Sequence, residues 1–151
     1  MKNWLSRIII VSGISVVSAC SSIPESIRVE DGTKLVPFAD ARALPDDTKG
    51  EVARWGGVIA EVKNLPEKTV IEVVNMSLSG SARPKISDKP EGRFRIIADG
   101  LLDPMIYEKG KHITVLGSVT GSELGMIGDH EYYYPLVKAD GIYLWKELFL
   151  N

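Results

Sequence analysis

A chain of 151 residues with 44% apolar side chains is long enough for one packed domain and too apolar for a disordered tail. Its single cysteine excludes an internal disulfide, so the domain must be held by its core. A net charge of −2, from 20 acidic against 18 basic residues, argues against nucleic acid or an anionic bilayer surface as an electrostatic partner.

The N-terminus has the three-part order of an export signal. Lys2 and Arg7 precede the apolar run Ile8 to Val17, and the small residues Ser18 and Ala19 follow it, directly before Cys20. The run is about ten residues long with polar and glycine interruptions, where a membrane-spanning helix needs about twenty. A signal peptidase needs small side chains at the scissile bond, and a thiol just downstream is open to alkylation. Val17-Ser18-Ala19-Cys20 resembles the lipobox of bacterial lipoproteins. The resemblance implies that Cys20 carries a covalent lipid, with Val17, Ser18, Ala19 and Ser21 as the recognition residues for the peptidase. It also implies that residues 1–19 are a signal helix removed before Cys20. A residue other than Asp at Ser21 implies transport to the outer membrane. The plainer alternative is a secretory signal followed by an unmodified, buried cysteine. The mature chain of 132 residues carries 16 basic and 20 acidic residues, a net charge of −4.

Residues 20–51 read as a lipidated tether that becomes an ordered arm. Pro, Gly and acidic turn residues recur every few positions, at Pro24, Asp31-Gly32, Pro37 and Pro45-Asp46-Asp47. Ala39 to Leu44 allows one helical turn, because Pro45 disfavours helix at the residue before it.

Residues 52–151 read as the β domain. Trp55 to Val62 predicts a strand with Val58, Ala60 and Val62 on one face, and Asn64 to Lys68 its turn. Thr69 to Leu78, rich in β-branched residues and lacking helical periodicity, predicts a second strand. Ser79 to Gly92 predicts a long exposed loop. Arg93 to Ala98 predicts a third strand with Phe94, Ile96 and Ala98 inward. Leu101 to Gly110 predicts a plug beneath a barrel, with a single helical turn ending at Gly110. His112 to Thr120 predicts a fourth strand, Gly117 marking a bend or a close backbone approach. After a glycine-punctuated loop from Gly121 to Gly128, Tyr132 to Val137 and Gly141 to Trp145 predict a last strand or bent hairpin, with an edge or bulge at Pro135. Five strands with these connections point to an all-β fold, a small partly open five-stranded barrel of the OB type, with a β-sandwich as the alternative.

Trp55-Gly56-Gly57-Val58-Ile59, Gly92-Arg93-Phe94, Leu101-Leu102-Asp103-Pro104 with Tyr107 and Gly110, Thr114-Val115-Leu116-Gly117, Tyr134-Pro135-Leu136-Val137 and Tyr143-Leu144-Trp145 occur in that order. Together they resemble the Slp (starvation-inducible) family of bacterial outer-membrane lipoproteins. The resemblance implies a location in the outer membrane, lipid-anchored and facing the periplasm, and attaches no reaction to the chain.

Catalytic and metal motifs are missing from the sequence. His112 and His130 lack ligand spacing, and Asp129-His130-Glu131 reads as a solvated turn because three consecutive residues do not point the same way. No nucleophile elbow, zinc-protease motif or phosphate loop occurs. No cofactor or metal is expected beyond the lipid on Cys20, and no enzymatic activity. The one candidate ligand face is Arg93 and Arg95 projecting outward beside Glu72, with Tyr132 and Tyr134 sharing an exposed side of their strand. The preferred reading of the same residues is a completed small core and a solvated face. The functional expectation is therefore a non-catalytic structural or interaction module of the cell envelope. Its partners would be the outer-membrane lipid leaflet, through the acyl anchor, and an envelope protein. The alternative is a barrel that binds a periplasmic small molecule, glycan or peptide, and an apolar pocket lined by Arg93, Arg95, Tyr132 and Tyr134 would mark it.

Overall fold

The computed structural model describes residues 10–14 and 22–147. Val17, Ser18, Ala19, Cys20 and Ser21 lie outside the described residues, and residues 10–14 are exposed and not helical. The arm holds a short 3₁₀ turn, Glu25–Ile27, and one six-residue helix, α1 (Phe38–Ala43). Five strands follow: β1 (Val52–Asn64), β2 (Lys68–Met76), β3 (Arg93–Asp99), β4 (His112–Ile127) and β5 (His130–Leu144).

The sheet order β1-β2-β3-β5-β4 returns to β1 and closes the barrel. All neighbours are antiparallel except β3 and β5, which pair in parallel over Arg95↔Leu136, Ile96↔Val137 and Ile97↔Lys138. This short parallel pairing shuts the gap that a partly open barrel would have left. The five-strand all-β reading stands, with that one refinement.

The core is lined by the inward residues of every strand. Trp55 and Ile59 of β1 meet Ile71 and Val73 of β2, Phe94 and Ile96 of β3, Ile113, Val115 and Val119 of β4, and Val137 of β5. Phe94, Ile96 and Ala98 point inward as the alternation in β3 predicts. The face assigned to β1 is corrected: Ala53, Trp55 and Ile59 are inward, and Val58 is not fully buried. A register shift between Ile59 and Glu61 adds one residue on β1. Such a bulge exchanges the two faces, so Val62 returns to the core while the residues before the bulge keep the opposite parity.

Three further differences come from long-range pairing. Gly121 to Ile127 is strand rather than loop, because it pairs with His130 to Leu136 in one long hairpin. β5 is a single strand from His130 to Leu144, and its register shifts opposite Leu116/Gly117 and Val119/Gly121 take up the bend. The Ser79–Gly92 loop is not wholly exposed. Ala82 is buried and its carbonyl accepts the Thr114 hydroxyl at 2.8 Å, which fastens the loop to β4.

The arm is packed onto the barrel. Phe38 stacks edge-on against Trp55 at 5.4 Å, and Trp55 against Phe94 at 5.4 Å. Trp55 Nε1 donates to the Val36 carbonyl at 2.9 Å. Leu102 and Tyr107 of the Leu101–Gly110 plug pack against the same core from the far end. Several close backbone approaches require glycine. A Cβ at Gly117 would fall on the Lys138 carbonyl, and a Cβ at Gly141 on the Ser26 carbonyl of the arm. Gly141→Ala is therefore expected to push the 3₁₀ turn off β5 at a cost of about 1–3 kcal/mol, the usual penalty for overpacking. Denaturant titration measures the loss, and faster proteolysis at Arg28 reports the displaced arm.

Candidate interaction face

The candidate residues meet on the outer surface of β2 and β3, beneath the far half of the β4–β5 hairpin. Glu72 and Arg95 are directly paired across β2 and β3, and Arg93 lies two residues earlier on the same face. The Glu72 carboxylate is nearly buried and accepts both guanidinium groups, Arg93 Nη1 at 2.8 Å and Arg95 Nη2 at 3.4 Å. Arg95 Nη1 reaches Glu123 of β4 at 3.4 Å.

The tyrosines continue this arrangement as a stack. The Arg95 guanidinium lies 3.8 Å from the centroid of the Tyr134 ring. Tyr134 meets Tyr132 edge to face at 4.8 Å, and Arg42 of α1 lies 5.3 Å from the Tyr132 centroid. Tyr132 also ties the hairpin to β3, its phenol oxygen accepting the Arg93 N–H at 2.9 Å. Arg42 Nη1 donates to the Glu91 carbonyl at 2.7 Å.

Tyr132 and Tyr134 do share one face, as their spacing predicts, but Tyr134 is buried rather than exposed. The hairpin folds over β3, and Gly125 makes this approach possible. A Cβ there would meet the Tyr134 ring at 2.7 Å and Arg95 at 2.8 Å. Arg93 and Arg95 project outward beside Glu72, as expected. No apolar pocket lined by the four residues forms among the described residues. A groove of about 200 Å³ lies alongside, lined by Glu61, Lys63, Leu65, Val70, Glu72, Arg95 and Glu123. It includes Arg95 and excludes both tyrosines and Arg93.

Burial, then the adjoining Glu72 carboxylate, raises the Tyr134 phenol above its ordinary value of 10.0, with Arg95 and Arg93 acting the other way. A raised folded value means that the neutral phenol is the form the fold favours. The contribution is complete below the ordinary value and is lost as pH rises from there through the raised one. Tyr134→Phe is expected to flatten this alkaline loss above about pH 10, as read from denaturant midpoints of both proteins across the pH series.

Sequence reasoning missed Glu123, Gly125 and Arg42. Glu123 and Gly125 alternate with Leu124 and Met126, a strand signal that the glycines obscured. Arg42 reaches the face only through the docking of the arm. Asp129 lies in the exposed turn between β4 and β5, while His130 and Glu131 are exposed residues that open β5, and no group of three metal-binding side chains is found among the described residues.

Residues 17–149 match the model of the family described as "Outer membrane lipoprotein Slp family". The chain is 28% identical over 144 residues, 95% of its length and 74% of the relative's, to the "Uncharacterized lipoprotein YeaY" of Escherichia coli K12. It is 30% identical over 144 residues, 95% of its length and 76% of the relative's, to the "Outer membrane protein Slp" of the same organism. A Haemophilus influenzae protein described as uncharacterized shares 35% identity over 96 residues, 63% of this chain and 52% of that one.

Proposed function

Since the chain belongs to the outer membrane lipoprotein Slp family, we propose that acyl groups on Cys20 hold it at the outer membrane. There, facing the periplasm, the closed barrel acts as a non-catalytic structural or interaction module toward an envelope protein. The observation that carries the second part is the state of the candidate face. Arg93, Arg95, Tyr132 and Tyr134 direct their contacts at Glu72, Glu123 and one another, so the face works as an internal brace. Removing one partner of a nearly buried charge pair strands the other, which is why such a brace resists being opened by a ligand.

The second reading, binding of a small molecule, glycan or peptide, is favoured by the groove of about 200 Å³ beside Arg95. Palmitate labelling of growing cells, followed by density separation of inner and outer membranes, tests the anchored reading. Labelled protein in the outer-membrane fraction is the expected result, and unlabelled protein in the soluble periplasmic fraction overturns it. In-cell crosslinking in the same fraction distinguishes the module from the binder: a discrete protein adduct supports the first.

A further inference from the structure

The end of the barrel that carries the plug exposes apolar side chains with no cover. Leu101 is 74% exposed, Met105 76% and Ile106 50%. Leu65, from the β1–β2 turn, lies nearby, because Gly100 N–H donates to the Glu67 carbonyl at 3.0 Å. The loop is braced in this posture. Asp103 accepts the Met105 N–H on its side chain and the Ile106 and Tyr107 N–H groups on its carbonyl, while Leu102 and Tyr107 are held by the core. Leu101, Met105 and Ile106 are thus displayed by a turn that cannot fold them inward. An apolar cluster on an ordered tip marks a contact surface.

The arm docks on the barrel wall only a few residues after the lipid attachment point in the sequence. Arg28 grips the Ile23 carbonyl with Nε at 3.1 Å and Nη2 at 2.6 Å, so the chain is already fixed to the domain at Ile23. Cys20 precedes Ile23 by three residues, a reach of about 10 Å at most. The Ser26 carbonyl lies against Gly141 of β5. The parallel pairing of β5 with β3 runs to Ile97↔Lys138, two residues before the end of β3 and three before Gly141. The arm therefore crosses β5 beside the strand end from which the Leu101–Gly110 loop departs.

From this juxtaposition we infer that the tip formed by Leu101, Met105 and Ile106 enters the headgroup region of the phospholipid leaflet that holds the acyl chains. The inference rests on the acylation of Cys20 proposed above. A tether of about 10 Å gives the domain no stand-off from the bilayer. Side chains that gain by leaving water at the interface then fix which surface faces it. The lipid anchor and the tip together make two contacts, which set the orientation of the barrel as well as its attachment.

The test uses the full acylated protein in vesicles of phosphatidylethanolamine and phosphatidylglycerol. One cysteine is added at a time, Met105→Cys, Lys85→Cys or Met126→Cys, and labelled with a polarity-sensitive fluorophore. Acylated Cys20 does not compete for the label. The Met105→Cys label is expected to shift to the blue and to lose most of its emission to lipids brominated in the acyl chains. Labels at positions 85 and 126 are expected to remain quenched by aqueous iodide. Vesicle flotation separates the two readings. Protein that floats with its position-105 label in water, or with position 126 in the lipid instead, overturns the tip contact alone. Protein that does not float overturns the anchor, and the tip contact with it.

Discussion

Replacing Cys20 by serine is expected to remove the protein from the outer membrane completely. The acyl transfer needs a sulfur nucleophile, and a serine hydroxyl at the same place is not one. Each methylene buried in the bilayer is worth roughly 0.8 kcal/mol, so one acyl chain holds marginally and two or three hold firmly. With the anchor proposed at Cys20, loss of the thiol removes all of the anchoring energy rather than a fraction of it. The expected products are a Cys20→Ser chain without palmitate and an uncut precursor of lower gel mobility. Palmitate labelling and electrophoresis of fractionated cells measure both, and normal processing of this variant would refute the lipoprotein assignment. The barrel should be indifferent to the change, since its core is built from residues between Val36 and Val137. A chain lacking Met1 to Cys20 is accordingly expected to fold as a soluble domain.

Trp55→Ala is expected to have the largest effect on stability. Trp55 sits between Phe38 of the arm and Phe94 of β3 and donates the buried hydrogen bond to the Val36 carbonyl. Truncating a buried Trp to Ala typically costs about 3–5 kcal/mol through lost transfer energy and the cavity left behind. The Val36 carbonyl loses its partner as well, which adds to the cost. Against a typical domain stability of about 5–15 kcal/mol, much of the margin disappears. The urea midpoint is expected to fall by about 2 M, with the arm becoming protease-sensitive at the same time. Trp145 supplies the comparison. It is only half-buried and packs against Tyr143 and Arg83 at the edge of the barrel, so Trp145→Ala should cost distinctly less.

Strand identity was largely legible wherever local chemistry was unambiguous. Thr69 to Met76 is β-branched and aperiodic, and Arg93 to Ala98 alternates, so both are strands for reasons contained in their own residues. The Gly117 approach and the plug at Leu101–Gly110 were legible too, because glycine and Asp-Pro punctuate sequence in few ways. The face of β1 was not. Its parity depends on a bulge at Ala60, and a bulge is a property of two paired strands rather than of one. The strand at Gly121 to Ile127 was hidden for the same reason: its glycines suit a loop until the partner His130 to Leu136 is aligned with it.

At the candidate face, the sequence placed Arg93 and Arg95 beside Glu72 on β-strand parity alone, and placed Tyr132 with Tyr134. It did not reveal that Tyr134 is buried, because Gly125 makes room for that ring from a position nine residues away on another strand.

By itself the sequence determined the address and the fold class: a signal ending at a lone cysteine, and five stretches whose side-chain patterns suit strands. Those are local properties, set by the order of charge, apolarity and size along a short segment. Only the tertiary structure decided that the barrel closes, that the arginines and tyrosines brace one another, and that the arm docks across β5. Each depends on segments far apart in the chain meeting at a register that no single segment contains.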